Sequence, residues 1–211
     1  MVSLNQLFAF VLMMSKKYNI DQSHSEGHSM QVLRFAEENM KSQLDMFPYL
    51  EDQTDVIITA SVLHDMCDKK YMNQYEGAKE IAQFLKMEVK MSPKEVHFTK
   101  KIMETMSYST VKKNGYPEMG DYEMAYHVVR EADLLASYDF DRSVIYHLNR
   151  GNNLTSSYYN ALEIFYERVF NYNTDKLLIS PYAMKKSQSL SMKAIKQMTT
   201  WKRILHKTNF R

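Results

Sequence analysis

Ile57-Ile58-Thr59-Ala60-Ser61-Val62-Leu63-His64-Asp65-Met66-Cys67-Asp68-Lys69-Lys70 is the stretch on which the reading of this chain turns. Its first half is apolar or small on every side, as in a helix buried all round, and the run ends in an adjacent His-Asp pair. A second carboxylate, Asp68, and two lysines follow within five residues of that pair. Burying charge is costly unless the charge is paired or bound to metal, so a core helix that ends in ionisable groups needs a reason. Binding of a metal ion supplies one.

The surrounding composition favours an all-α protein. With 211 residues, 45% of them hydrophobic and 25% charged, and only five glycines and four prolines, the chain suits one mainly helical domain with a sizeable core. We expect a helical domain over residues 1–180, with its motif-bearing part at about 20–145, and a helical C-terminal extension over 181–211 packed on the same domain. Net charge is +2 with basic residues spread along the chain, so a small anionic substrate is expected, and nucleic acid, through Lys112, Lys113 and the lysines from Lys185 onward, is the lesser alternative. The single cysteine, Cys67, excludes an intramolecular disulfide and fits a reducing compartment, the cytoplasm. The apolar run Leu7 to Met14 falls far short of the ~20 residues that span a bilayer, and Lys16 and Lys17 lie on the wrong side of it for a signal peptide. It reads as a packing helix, and no membrane partner is expected.

Helix signals divide the chain. Ser3 is a candidate cap for a first helix over 3–18, and His28 stands in the first turn of a second that runs to about Lys41. After Pro48, Asp52 or Thr54 can cap a third, with Val56, Ile57, Ala60 and Leu63 as its core and the His-Asp pair at its end. A fourth covers 76–87. Ser92-Pro93-Lys94-Glu95 combines a capping box with proline at the first helical position and opens a fifth, to about Tyr108. Residues 109–121, punctuated by Gly115, Pro117 and Gly120, read as a long loop that could serve as a lid, and Asp121 as the cap of the next helix. Further helices are expected over 138–148, 155–172 and 184–206.

Four residues stand out on three of these helices: His28, His64, Asp65 and Asp133. Imidazole nitrogen with carboxylate oxygen is a ligand set for one divalent ion, such as manganese, iron, cobalt, nickel, zinc or magnesium, and helical bundles hold such sites between facing helices. In this order, at separations of 36 residues from His28 to His64 and 68 from Asp65 to Asp133, the segments Glu26-Gly27-His28-Ser29-Met30, Val62-Leu63-His64-Asp65-Met66 and Glu131-Ala132-Asp133-Leu134-Leu135 resemble the HD-domain superfamily of metal-dependent phosphohydrolases. The resemblance covers about residues 20–145. It implies an HD-type helical bundle and a metal-dependent phosphohydrolase acting on a nucleotide or other small phosphate ester, with the four residues as ligands. A phosphodiesterase or pyrophosphohydrolase of a signalling nucleotide, or a non-catalytic binding module on the same fold, would keep the same architecture.

Asp68 falls where related hydrolases often carry a carboxylate that handles protons of the attacking water, and the bland reading is a solvated Asp68 paired with Lys69 or Lys70. Lys69, Lys70, Arg130, Arg142 and His24 are tentative binders of the substrate phosphate; Arg130 shares a helical face with Asp133 and could equally pair with a helix neighbour. Many relatives carry more histidines between the His-Asp pair and the last aspartate. Here the interval holds only His97 and His127, and His127 is off the face of Asp133, which points to a single metal ion.

Overall fold

The structure, a computed structural model, describes residues 1–208. Ten α-helices and several short 3-10 and π turns account for the secondary structure, with no strand among the described residues, so the protein is all-α. No helix of the described residues is long and apolar enough to cross a membrane. The chain forms two compact units that divide after Asp133.

The first unit contains α1 (Leu4–Tyr18), α2 (Glu26–Gln43), α3 (Thr54–Leu63), α4 (Gln74–Phe84), α5 (Pro93–Thr105), α6 (Tyr108–Asn114) and α7 (Glu123–Ala136) as far as Asp133. Leu7, Phe10, Val11 and Met14 are the buried positions of α1, the spacing of one helical face. Ser3 Oγ accepts the Gln6 N–H as its cap, and Lys16 and Lys17 lie in the last turn, where cations complement the helix dipole. In α2 the buried face runs His28, Val32, Phe35, Ala36, Asn39, Met40 and Gln43, so one stripe carries both core and polar groups.

The centre of this unit is α3, which packs against α1, α2 and α5. Val56, Ile57, Thr59, Ala60, Ser61, Val62 and Leu63 are all buried, seven of its ten residues. Each large apolar side chain so placed contributes about 1.5–3 kcal/mol of burial free energy, and the absence of a polar face leaves α3 no stable position except the middle. Its start differs from expectation. Neither Asp52 nor Thr54 caps it: residues Pro48–Gln53 form a 3-10 turn that runs into α3, and Thr54 Oγ1 donates back to the Glu51 carbonyl at 2.7 Å.

The capping box of α5 forms as expected, with Ser92 Oγ accepting from Glu95 N–H and Glu95 Oε2 accepting from Ser92 N–H. Two other expectations are corrected. Residues 109–121 are not one loop, because Ser107 Oγ accepts the Thr110 N–H and starts α6, which ends at Gly115 in the left-handed half of backbone space (φ 74°). Asp121 does not cap α7 either; it lies exposed in the 3-10 turn Gly120–Tyr122, 3.8 Å from Lys94, and α7 begins at Glu123.

The second unit, from Leu134 onward, contains the remainder of α7, α8 (Phe140–Asn149), α9 (Leu154–Glu167) and α10 (Pro181–Thr208). α8 and α9 pair closely, and Phe140 meets Phe165 and Tyr158 edge to face at 5.2 and 5.7 Å between ring centres. α10 packs on both. Gln197 is tied to Asp139 and Asp141, and the Trp201 indole N–H donates to Asp141 at 2.7 Å.

Candidate metal centre

The buried run of α3 delivers its last residue, His64, as the C-cap of the helix, and Asp65 opens the tight turn that follows. That turn is held from outside by α4. Gly77 lies so close to it that a Cβ there would stand 3.1 Å from Cys67 Cβ, 3.2 Å from Cys67 Cα and 2.6 Å from Met72 Sδ. Only glycine lets the two backbones approach this far. His28 comes from the first turn of α2, as its sequence position requires, and Asp133 from α7.

The four side chains converge. His28 Nε2 and His64 Nε2 are 3.1 Å apart; Asp65 Oδ2 lies 3.4 Å from the first and 3.2 Å from the second, and Asp133 Oδ1 lies 3.3 and 3.6 Å from them. Nitrogen and oxygen ligands at about 2.0–2.2 Å from one ion, at angles between octahedral and tetrahedral, stand roughly 3–3.6 Å from each other. The observed separations match that requirement. His28, His64 and Asp65 form a buried group able to hold a metal ion; Asp133 Oδ1 stands beside the two histidines, 3.3 and 3.6 Å from their Nε2 atoms.

Two details fit the donor chemistry. The Ser61 carbonyl accepts from His64 Nδ1 at 2.9 Å, which fixes the tautomer and leaves the lone pair of Nε2 directed at the centre. Buried Asp65 Oδ2 receives no well-aligned hydrogen bond and faces the His64 and His28 Nε2 atoms at 3.2 and 3.4 Å, a setting that a cation between the groups would satisfy.

Electrostatics favour a cation at this place. Burial opposes charge on His64, but Asp65 and Asp133 outweigh it and raise its pKa to about 9, so a proton and a metal ion compete for the ring. Burial likewise pushes the two carboxyls up; His64 overrides this at Asp65, and a hydrogen bond from His28 together with the His64 charge overrides it at Asp133, so both stay ionised well below the usual carboxylate range.

The other expected site residues lie in different settings. Asp68 is three residues into the turn, where its Oδ1 accepts the Lys70 N–H at 2.8 Å and its Oδ2 lies 3.3 Å from Lys70 Nζ. Lys69 is exposed. Arg130 is fully buried: Nη2 donates to His127 Nδ1 at 3.3 Å, Glu131 is 3.8 Å away, and the guanidinium covers the Tyr116 ring at 4.9 Å. It serves the interior as a helix-neighbour pairing. Arg142 belongs to α8 of the second unit, where Asp139 receives its backbone N–H.

His24 is closest to the centre among the tentative residues, its ring 6.2 Å from that of His28. Around it stands a group that the sequence did not single out. Tyr71 O–H donates to Asp21 and lies 3.0 Å from His24 Nδ1, Ser23 Oγ is 2.8 Å from the same nitrogen, and Asp21 Oδ1 is 3.5 Å from it. Burial would raise the Asp21 carboxyl, but bonds from His24, Ser23 and Tyr71 hold it well below its ordinary range. Neither Asp21 nor Tyr71 carried a signal in the sequence; in the structure Asp21 Oδ1 also accepts the Ser23 N–H and caps the short 3-10 turn that holds His24.

No family model, no curated protein and no solved structure matches this chain. The site is therefore read from its own geometry.

Proposed function

We propose that the chain is a metal-dependent phosphohydrolase of HD type that hydrolyses a nucleotide or other small phosphate ester. The observation that carries this reading is the convergence of two imidazole nitrogens and two carboxylate oxygens, from α2, the end of α3 and α7, at the mutual separations of ligands to a single ion. The order of the same residues in sequence, a histidine, a His-Asp pair and a distant aspartate, supports it independently.

A divalent ion bound there would polarise a phosphoryl oxygen and lower the pKa of water. The chain's residues have the remaining tasks. His28, His64, Asp65 and Asp133 hold the ion, the two carboxylates balancing its double charge, and the Ser61 carbonyl keeps His64 in the ligating tautomer. Asp68, whose Oδ2 lies 3.3 Å from Lys70 Nζ, takes up or returns the proton that moves between the attacking water and the leaving oxygen. Lys69 and Lys70 attract the phosphate as exposed cations beside the turn. His24, held by Asp21 and Tyr71 with its ring 6.2 Å from that of His28, is the candidate to meet a substrate oxygen.

The test is a phosphatase screen with manganese, cobalt, nickel, zinc or magnesium over nucleotides and sugar phosphates, with diester and pyrophosphate substrates as separate arms. Metal-dependent turnover that is lost in His64→Ala and Asp133→Ala is the expected result. A wild-type protein that takes up metal in stoichiometric amount yet turns over no phosphate ester would make the chain a binding module and end the enzymatic reading.

A further inference from the structure

The near-neutral charge of the whole chain conceals a division. Met1–Asp133 carries 15 Lys and Arg against 20 Asp and Glu, whereas the residues from Leu134 onward carry 12 against 5. The basic excess gathers on α10, whose 28 residues include seven Lys and Arg and no carboxylate. An asymmetry of this kind between parts of a chain points to a polyanionic partner.

The arrangement on the helix is more telling than the count. Ala183, Ser187, Ala194, Met198 and Leu205 are buried and mark the inner face, which Gln197 and Trp201 anchor within the second unit. On the opposite side, Lys185, Ser189, Lys193, Lys196, Thr200, Arg203 and Lys207 follow one another at steps of three or four residues, and all seven are exposed. At 3.6 residues per turn these positions form one straight stripe of about 33 Å, close to one turn of a nucleic-acid duplex at roughly 34 Å. Each cation and the Thr200 hydroxyl offer a donor, while Ser189 Oγ donates to the Lys186 carbonyl at 2.8 Å. Among the described residues none of its five cations is engaged in an ion pair, so each is available to an external anion.

We propose that this outward stripe of α10 binds the sugar-phosphate backbone of nucleic acid. A row of cations and hydroxyls with no apolar member suits a row of phosphates. It suits a bilayer less well: Met184, Met192, Ile195 and Ile204 are exposed on α10 but are scattered on the two flanks of the stripe, whereas an interfacial helix buries a continuous apolar face in lipid, and the other apolar side chains of α10 are buried in its own unit. Contacts of lysine, arginine and hydroxyl groups to phosphate carry no sequence information, so the binding proposed is independent of sequence. This inference does not depend on the metal centre, whose residues all belong to the first unit.

The experiment uses the full chain with a fluorescein-labelled duplex of about 20 base pairs, or two helical turns, and the corresponding single strand, followed by anisotropy as KCl is varied. Five phosphate contacts predict a slope of log K against log salt of about −4 on the duplex, the same for unrelated sequences. The triple variant Lys193→Glu, Lys196→Glu, Arg203→Glu should lose roughly 100-fold or more in affinity, with the slope reduced by about 3. Lys193→Arg with Lys196→Arg should bind as wild type, as should His64→Ala, while circular dichroism checks that each variant is folded. Undiminished binding by the charge-reversed protein, or no binding of either nucleic acid at low salt, would overturn the proposal. So would binding to phosphatidylserine vesicles without binding to nucleic acid, which would make the stripe a membrane contact.

Discussion

The substitution Asp133→Asn tests the metal centre most directly, because it keeps the shape of the side chain and removes one of two charges that face the ion. Asp133 Oδ1 lies 3.3 and 3.6 Å from the two imidazole nitrogens, within ligand spacing of both. Residues that merely support a ligand cost 10–100-fold in metal affinity when changed, so loss of a charged ligand should cost about 100-fold or more. At a metal concentration about 100 times the wild-type Kd, binding stabilises the wild type by about 2.7 kcal/mol, and a variant weakened 100-fold by only about 0.4 kcal/mol. For a chain of this length 1 kcal/mol moves Tm by roughly 2–4 °C, so added metal should raise the wild-type Tm by about 5–11 °C and that of Asp133→Asn by about 1 °C. Scanning calorimetry of chelator-treated protein with and without manganese, cobalt or zinc makes the measurement. Asp68→Asn, whose side-chain contacts are with Lys70, is the control and should retain the full shift. Equal metal-induced shifts in wild type and Asp133→Asn would refute the assignment of Asp133, and no shift in wild type with any of the ions would refute the centre itself.

Gly77→Ala should destabilise the protein by about 1–3 kcal/mol in urea unfolding, although the same exchange inside an exposed helix normally stabilises, because the new methyl would press on Cys67 and Met72; a stabilised variant would show that α4 does not brace the turn. Tyr71→Phe removes a hydroxyl that donates to Asp21 and should cost about 1.5–3 kcal/mol, the worth of a bond to a charged group; if His24 is positioned for the reaction, kcat falls while metal content, read by atomic absorption, stays unchanged. His127 is buried and its neutral Nδ1 accepts from Arg130; burial, and then the Arg130 charge, lower its pKa to about 4. Above pH ~6.5, the ordinary value, folded and unfolded states both hold it neutral; as pH falls toward 4 the unfolded state takes up the proton first, so about 3 kcal/mol of stability is lost over that window. His127→Gln should flatten the difference between denaturation midpoints at pH 7 and pH 4.5, and an unchanged pH profile would count against the buried neutral ring.

What could be read from the residues alone was whatever local chemistry fixes. The apolar run Ile57–Leu63 has no polar face, so α3 had to be central, and the spacing of Leu7, Phe10, Val11 and Met14 had to give a one-sided helix. Ser92-Pro93-Lys94-Glu95 carries its own cap within four residues and formed as written. The helix in 108–114 was missed because its apolar signal is a single buried residue, Val111, and its start depends on Ser107, a weak cue beside the later Gly115 and Pro117. Sequence order also picked out His28, His64, Asp65 and Asp133 through a family resemblance, without any knowledge of distance.

Only tertiary structure decided which polar groups meet. Asp21 and Tyr71 are 50 residues apart and join around His24 because the turn after α3 folds back over the start of α2. Asn39 and Glu131, 92 residues apart, pair in the core. Arg130 could be read as a phosphate clamp or as the partner of a helix neighbour, and packing decided for the second by turning it inward to His127 and Tyr116. The lysines from Lys185 onward could be read in order, but that five cations of α10 emerge together on one outward face was decided by which side of the helix packs inward. Propensity, capping and periodicity act over one or two helical turns and can be read in order. Ligand separation, the partner of a buried charge and the side on which a cation emerges depend on how distant helices pack, which the linear chain does not encode locally.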